Sequence, residues 1–155
     1  MKVVILSVGR VRQKFVLQGE AEYLQRIKGS FQVELVELGM ESPESMSAAE
    51  VQAREAEEVL RKTKGYDYLV VLDERGREMT SKALSDFIQS RMNAGNKSVC
   101  FAIGGAYGFA EKVRQEAHLI LSLSALTFPH QLTRMLLVEQ LYRSHTLIKG
   151  ISYHK

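Results

Sequence analysis

The sequence predicts an α/β fold built on a parallel sheet. Three observations carry that expectation. Short apolar runs alternate along the chain with stretches of helical period. Residues 69–72 (Leu-Val-Val-Leu) and the run from Ser98 to Ile103 are apolar on both faces, so helices are expected on both sides of the sheet. No internal repeat and no linker interrupts the pattern, so residues 1–155 read as a single domain, large enough to bury a real core.

Each element follows in order. Lys2–Val8 opens the sheet. It ends at Gly9-Arg10 with no cleavage-like segment, so it reads as a strand and not as a signal peptide. Residues 15–27 form a helix of mixed faces. Gln32–Leu38 alternates polar and apolar side chains, the mark of a strand near a sheet edge. Residues 39–47, with Pro43 and three serines, form a loop. Ser47-Ala48-Ala49-Glu50 is a capping box that starts a helix running to about Lys64 and stopping at Gly65. Residues 66–72 are a buried strand, and residues 73–77 (Asp-Glu-Arg-Gly-Arg) are the turn at its carboxyl end. Ser81–Asn93 is a helix closed by Gly95, and Ser98–Ile103 is the next buried strand. A glycine turn, a short helix over 110–116, a short strand over 118–121 and a last helix over 133–148, ended by Gly150, complete the chain.

The last helix carries Leu132, Met135, Leu136, Leu137, Val138, Leu141, Leu147 and Ile148, more than one apolar stripe. Two readings are open: a twofold homodimer through this helix, or a helix central to its own core.

Hydrophobic residues at 45% and charged residues at 25% are globular averages and argue against disorder. No apolar run is long enough for a bilayer-spanning helix. The lone Cys100 excludes an internal disulfide, reads as core and fits a reducing cytoplasm. The four histidines are too scattered for a zinc site, so no metal is expected. Asp73 ends a central strand, but the first strand ends in Gly9-Arg10 without the acids that magnesium needs.

Net charge is +3, and its distribution says more than its size. Both ends of the chain are basic around an acidic stretch over 41–67, which suits a polyanion-facing surface if the fold brings the ends together. Arg10, Arg12, Arg75, Arg77, Arg134 and Arg143 are the phosphate-contact candidates. For Arg143 a local pair with Glu139, one turn earlier, competes.

Gly104-Gly105-Ala106-Tyr107-Gly108 follows a strand. It is neither a Walker A loop, since no Gly-Lys-Ser/Thr follows, nor a dinucleotide fingerprint, since the first glycine would fall on Ile103. It is either a plain turn or an accessible strand end of the kind where α/β sheets bind ligands. Leu123, Ser124, Ala125, Leu126, Thr127, Phe128 and Pro129 form a loop unusually poor in charge; no carboxylate lies between Glu116 and Glu139. Such a loop either seats a flat adenine against backbone groups or is a buried core connection. At the end of the chain Tyr153, His154 and Lys155 set an aromatic ring, an imidazole and a cation side by side. They are either a frayed terminus or a group for stacking, proton transfer and phosphate contact.

Together, Leu72-Asp73, Gly104-Gly105-x-x-Gly108, Leu123-Ser124-Ala125-Leu126-Thr127, Pro129-His130, Glu139-Gln140-Leu141-Tyr142-Arg143 and Tyr153-His154 resemble the ribosomal large-subunit pseudouridine methyltransferases of the SPOUT class, over essentially the whole chain. The resemblance implies a deep trefoil knot in the C-terminal half, a homodimer, and methylation of N3 of a pseudouridine in a ribosomal RNA stem-loop on assembled ribosomes. It implies S-adenosylmethionine as cofactor, held by Leu72, Gly104 and Leu123 to Phe128. Tyr153 and His154 would come from the partner subunit. His154 is then the candidate general base, unless a nearby Arg or Lys stabilises the base anion and solvent takes the proton. Two positions depart from the family pattern: Ser152 replaces a proline before Tyr153-His154, and Ala106-Tyr107 replaces Pro-Glu in the glycine turn.

Overall fold

The computed structural model describes residues 1–40 and 44–153. Part of the loop around Pro43, together with His154 and Lys155, lies outside the described residues.

Five parallel strands form one sheet in the order β2-β1-β4-β3-β5. They are β1 (Lys2–Val8), β2 (Gln32–Leu38), β3 (Tyr68–Glu78), β4 (Ser98–Ile103) and β5 (Leu119–Ser122). The helices are α1 (Lys14–Arg26), α2 (Ala48–Thr63), α3 (Ser81–Asn93), α4 (Glu111–Gln115) and α5 (His130–Lys149).

Side-chain alternation sorts the core into two layers. Val3, Ile5, Val70, Phe101, Ile103 and Leu121 face one way and meet Leu84 and Ile88 of α3 and Leu137, Val138 and Leu141 of α5. Val4, Leu6, Leu69, Val71, Cys100 and Ala102 face the other way and meet Ala56 and Val59 of α2, with Phe109 and Val113. β1 and β4 are buried almost throughout, while β2 is a half-exposed edge, as its alternation predicts. Burial pushes the Cys100 thiol up to about 12, so it stays a neutral core group.

Local chemistry sets the helix ends. The Ser47 hydroxyl accepts from the Glu50 N–H at 3.3 Å, and the Glu50 carboxylate accepts from the Ser47 N–H at 2.8 Å, the capping box read from the sequence. Thr80 caps α3 by accepting from the Ala83 N–H at 3.1 Å. α5 begins at His130, three residues before the expected start. Pro129 remains extended, and the Thr133 hydroxyl already donates back to the Pro129 carbonyl at 3.2 Å, as a residue inside the helix does.

β3 differs most from expectation. The composition of residues 73–77 predicts a closing turn, yet the strand runs on to Glu78. Leu72 and Arg77 both register with Leu121, so the residues between them bulge out and pairing then resumes. Gly76 makes this possible: a Cβ there would sit 2.8 Å from backbone atoms of Ile120 and Leu121. Gly76→Ala should therefore destabilise the protein by about 1–3 kcal/mol, through the overlap it forces between strands. Urea unfolding checks this, and an unchanged midpoint would refute it.

α5 resolves the two readings of the last helix in part. It lies between α1 and α3 and against β1 and β4, so within one chain it is already a core helix. No residue from His130 to Ile148 is fully exposed.

Arg134, offered as a phosphate contact, is a correction. Its side chain is 2% exposed and lies between Glu20 of α1, at 2.7 Å, and Glu37 of β2, at 2.6 Å. Burial works against its charge, but the two carboxylates outweigh burial and raise its pKa. It ties three elements together and is closed to a phosphate.

Candidate active site

Because all five strands are parallel, their carboxyl ends gather at one edge of the sheet, the usual ligand edge of an α/β fold. A cavity of about 200 Å³ opens there. Leu72 and Asp73 reach it from the point where the regular pairing of β3 stops, Ile103 and Gly104 from the end of β4, and Leu121 from β5. The glycine turn supplies Gly105, Ala106 and Gly108. The loop after β5 supplies Leu123, Ser124, Leu126, Thr127 and Phe128, and the first turn of α5 supplies His130 and Thr133. The sequence segments singled out separately thus line one space. Ala125 is exposed on the same loop, outside the lining.

The loop is not a buried core connection: Ala125, Leu126 and Thr127 are exposed, and Leu126 is 71% so. Its shape comes from its own hydroxyls. Ser122 Oγ donates to the Ser124 carbonyl at 2.9 Å, and Ser124 Oγ accepts from the Leu126 N–H at 3.0 Å. The opposite wall is equally constrained. A Cβ on Gly104 would lie 3.2 Å from the Gly108 carbonyl carbon and 3.3 Å from the Phe109 ring, and Gly108 donates its N–H to the Gly105 carbonyl at 3.0 Å. Behind the turn the Glu55 carboxylate lies against Gly105, and burial raises its pKa.

Asp73 ends the regular part of β3 as the sequence indicates, but its pairing with Arg75 and Arg114 leaves no trace in the sequence. Its side chain is 5% exposed. It accepts from the Arg75 N–H and Nε at 3.0 Å, from Arg75 Nη2 at 3.1 Å and from Arg114 Nε at 2.7 Å. Burial alone would raise its pKa, but these bonds prevail and hold it well below the usual carboxylate range. With the folded value depressed, its contribution is complete above the unfolded value of 3.8 and is lost as pH falls below it. Asp73→Asn should therefore lower stability at pH 7 and flatten the acid limb below about pH 4. Urea midpoints across pH 2–7 check this; an acid limb of undiminished slope would refute it.

The proposed phosphate contacts divide. Arg10 and Arg12 follow β1, and Arg75 and Arg77 lie in and after the β3 bulge; all four are exposed near the carboxyl edge of the sheet. Arg75 shares its guanidinium with Asp73. Arg143 forms the local pair: its Nη2 lies 2.6 Å from Glu139 Oε1. Tyr153 folds back onto α5 of its own chain, its ring edge-on to Tyr142 at 4.7 Å and its hydroxyl 3.4 Å from Glu139. It is not among the residues lining the cavity. Among the described residues there is no group of three or more His, Cys, Asp or Glu placed to hold a metal ion, and no helix long and apolar enough to cross a membrane.

Comparison with known proteins agrees with this architecture. Residues 1–154 match the family described as "Predicted SPOUT methyltransferase". The chain belongs to the SPOUT methyltransferase family. Among its SPOUT relatives, a protein from Acetivibrio thermocellus is 40% identical over the full length of both chains and is named "Ribosomal RNA large subunit methyltransferase H". One of the same name from Alkaliphilus oremlandii is 38% identical, again over both full lengths. A solved probable methyltransferase from Bordetella pertussis Tohama I has the same fold, with TM-score 0.60 at 12% identity, over 92% of this chain and 95% of that one.

Proposed function

We propose that this SPOUT methyltransferase transfers the methyl group of S-adenosylmethionine to N3 of a pseudouridine in a stem-loop of large-subunit ribosomal RNA, acting in the cytoplasm on assembled ribosomes. The observation that carries the reading is the match to proteins named for ribosomal RNA large-subunit methylation over their whole length, joined to a cavity at the carboxyl edge of the sheet. We propose further that the enzyme is a homodimer with a trefoil knot in its C-terminal half. Membership of the SPOUT family supports both points.

The residues present fit the cofactor. Leu72, Leu123, Leu126 and Phe128 offer apolar surface to an adenine, and the glycine turn offers backbone that no Cβ shields. Ala125 completes the loop from outside. Glu74 adds a carboxylate at the cavity, favourable to a sulfonium cation. The cofactor supplies an already activated methyl group, so the chain's own work is alignment, exclusion of water and handling of the N3 proton. Tyr153 and His154 of the partner subunit close the RNA side, with His154 taking the proton when neutral. Arg10, Arg12, Arg75, Arg77 and Lys155 contact phosphates. Arg143, held by Glu139, orients the tail, because its guanidinium lies 5.1 Å from the centre of the Tyr153 ring.

The test is to incubate the purified protein with methyl-labelled cofactor and ribosomes, then locate the label. Label at N3 of a pseudouridine in large-subunit RNA is the expected result; label elsewhere, or none, overturns the reading. A single-turnover rate for His154→Ala close to that of the unaltered enzyme would remove His154 from the base role.

A further inference from the structure

We propose that Arg114 is a positioning residue for the cofactor: through Asp73 it fixes the glycine turn at the distance from β3 that the cofactor needs. This rests on the reading of the cavity as the cofactor site. Asp73 ends the regular part of β3 and lines one wall. Arg114 lies on α4, three residues after the helix begins, and α4 follows the glycine turn of the opposite wall directly. The bond from Arg114 Nε to Asp73 Oδ2 is 2.7 Å, with both side chains largely shielded, at 16% and 5% exposure. Both ions are shielded, so this link is stronger than a surface ion pair.

The link has the geometry of a tether. α4 is only five residues long, and its Val113 reaches the core. The glycine turn has one internal backbone bond, Gly108 N–H to the Gly105 carbonyl. From α2, Gln52 Nε2 donates to the Tyr107 carbonyl at 2.6 Å, and Phe109 and Val113 pack in the apolar layer that holds Leu69 and Val71. Among the described residues, the Arg114 bond to Asp73 is the polar side-chain link from this segment across to the β3 wall. Arg75 also bonds both oxygens of Asp73, so removing the Arg114 guanidinium leaves the carboxylate partnered. The tether can therefore be cut without burying an unpaired charge.

Three variants decide the matter: Arg114→Ala, Arg114→Lys and, as a control of core stability on α3, Ile88→Val. Hydrogen exchange without ligand should show the Gly108 amide opening about tenfold faster in Arg114→Ala than in the unaltered protein or in Ile88→Val, the scale of one charge-assisted bond. Calorimetry with S-adenosylhomocysteine should show Kd raised by about the same factor, partly restored by Arg114→Lys. In ribosome methylation, KM for the cofactor should rise while kcat at saturation stays within about twofold. Unchanged exchange at Gly108 in folded Arg114→Ala overturns the tether, as does an equal loss of affinity in Ile88→Val. Should Arg114→Ala not fold, Arg114→Lys carries the exchange measurement, because it keeps the charge but loses the planar fork. Failure of the unaltered protein to bind S-adenosylhomocysteine refutes the cofactor reading instead, and the exchange result still decides the tether.

Discussion

Replacing Arg134 by methionine should cost about 3–5 kcal/mol of stability, the largest single loss we expect in this chain. The substitution leaves Glu20, whose side chain is 2% exposed, without its bidentate partner, and Glu37, at 32%, without a bond of 2.6 Å. A buried carboxylate abandoned in this way must either stay charged in an apolar site or take up a proton. Arg134→Met combined with Glu20→Leu should recover much of the loss, since a well-packed apolar pair replaces a buried ion pair at little cost. Urea unfolding of the single and double variants checks both statements. A single variant within 1 kcal/mol of the unaltered protein would show that the ion pair is not what holds α1 to α5. Any fall in ribosome binding by Arg134→Met should track the unfolded fraction, because a guanidinium this enclosed reaches no phosphate.

Gly104→Ala should lower methylation on the order of 100-fold, chiefly through the cofactor, because misplacement of a positioned group by about 1 Å has that scale. The added methyl would press on the Gly108 backbone and the Phe109 ring at 3.2 to 3.3 Å. Phe109 is 3% exposed and fixed in the core, so the glycine turn has to move and the ring does not. Thermal melting should change little, because the turn sits at the cavity mouth. Kinetics at varied cofactor concentration separate the outcomes: raised KM with a folded enzyme is the expected pattern. Unaltered kinetics would show that the turn does not contact the cofactor.

Much of the fold is legible in the sequence because burial leaves a local trace. The runs 69–72 and 98–103 are apolar on both faces, and they are central strands with helices on both sides. Ser47 and Glu50 announce a helix start by spacing alone. The bulge in β3 is hidden for the opposite reason. Asp73, Glu74 and Arg75 are polar and Gly76 follows, a composition that reads as a turn, and only the pairing of Arg77 with Leu121 shows that the strand resumes. The cavity is legible in its backbone and opaque in its charges. The loop after β5 and the glycine turn are each visible as motifs, whereas Asp73 and Arg114 lie 41 residues apart with no periodicity to link them. Arg134 looks like any basic residue near a basic terminus. Its partners are 114 and 97 positions away, and nothing local distinguishes a structural guanidinium from an RNA-facing one.

That separation also bears on synthesis. Glu20 leaves the ribosome 114 residues before Arg134 does, so for most of translation the nascent β1-α1-β2 unit holds an acid with no counter-ion and an uncovered apolar face. The last helix supplies both remedies at once, so this fold is complete only once α5 has been made, and fragments that stop short of α5 should be clients of chaperones and proteases.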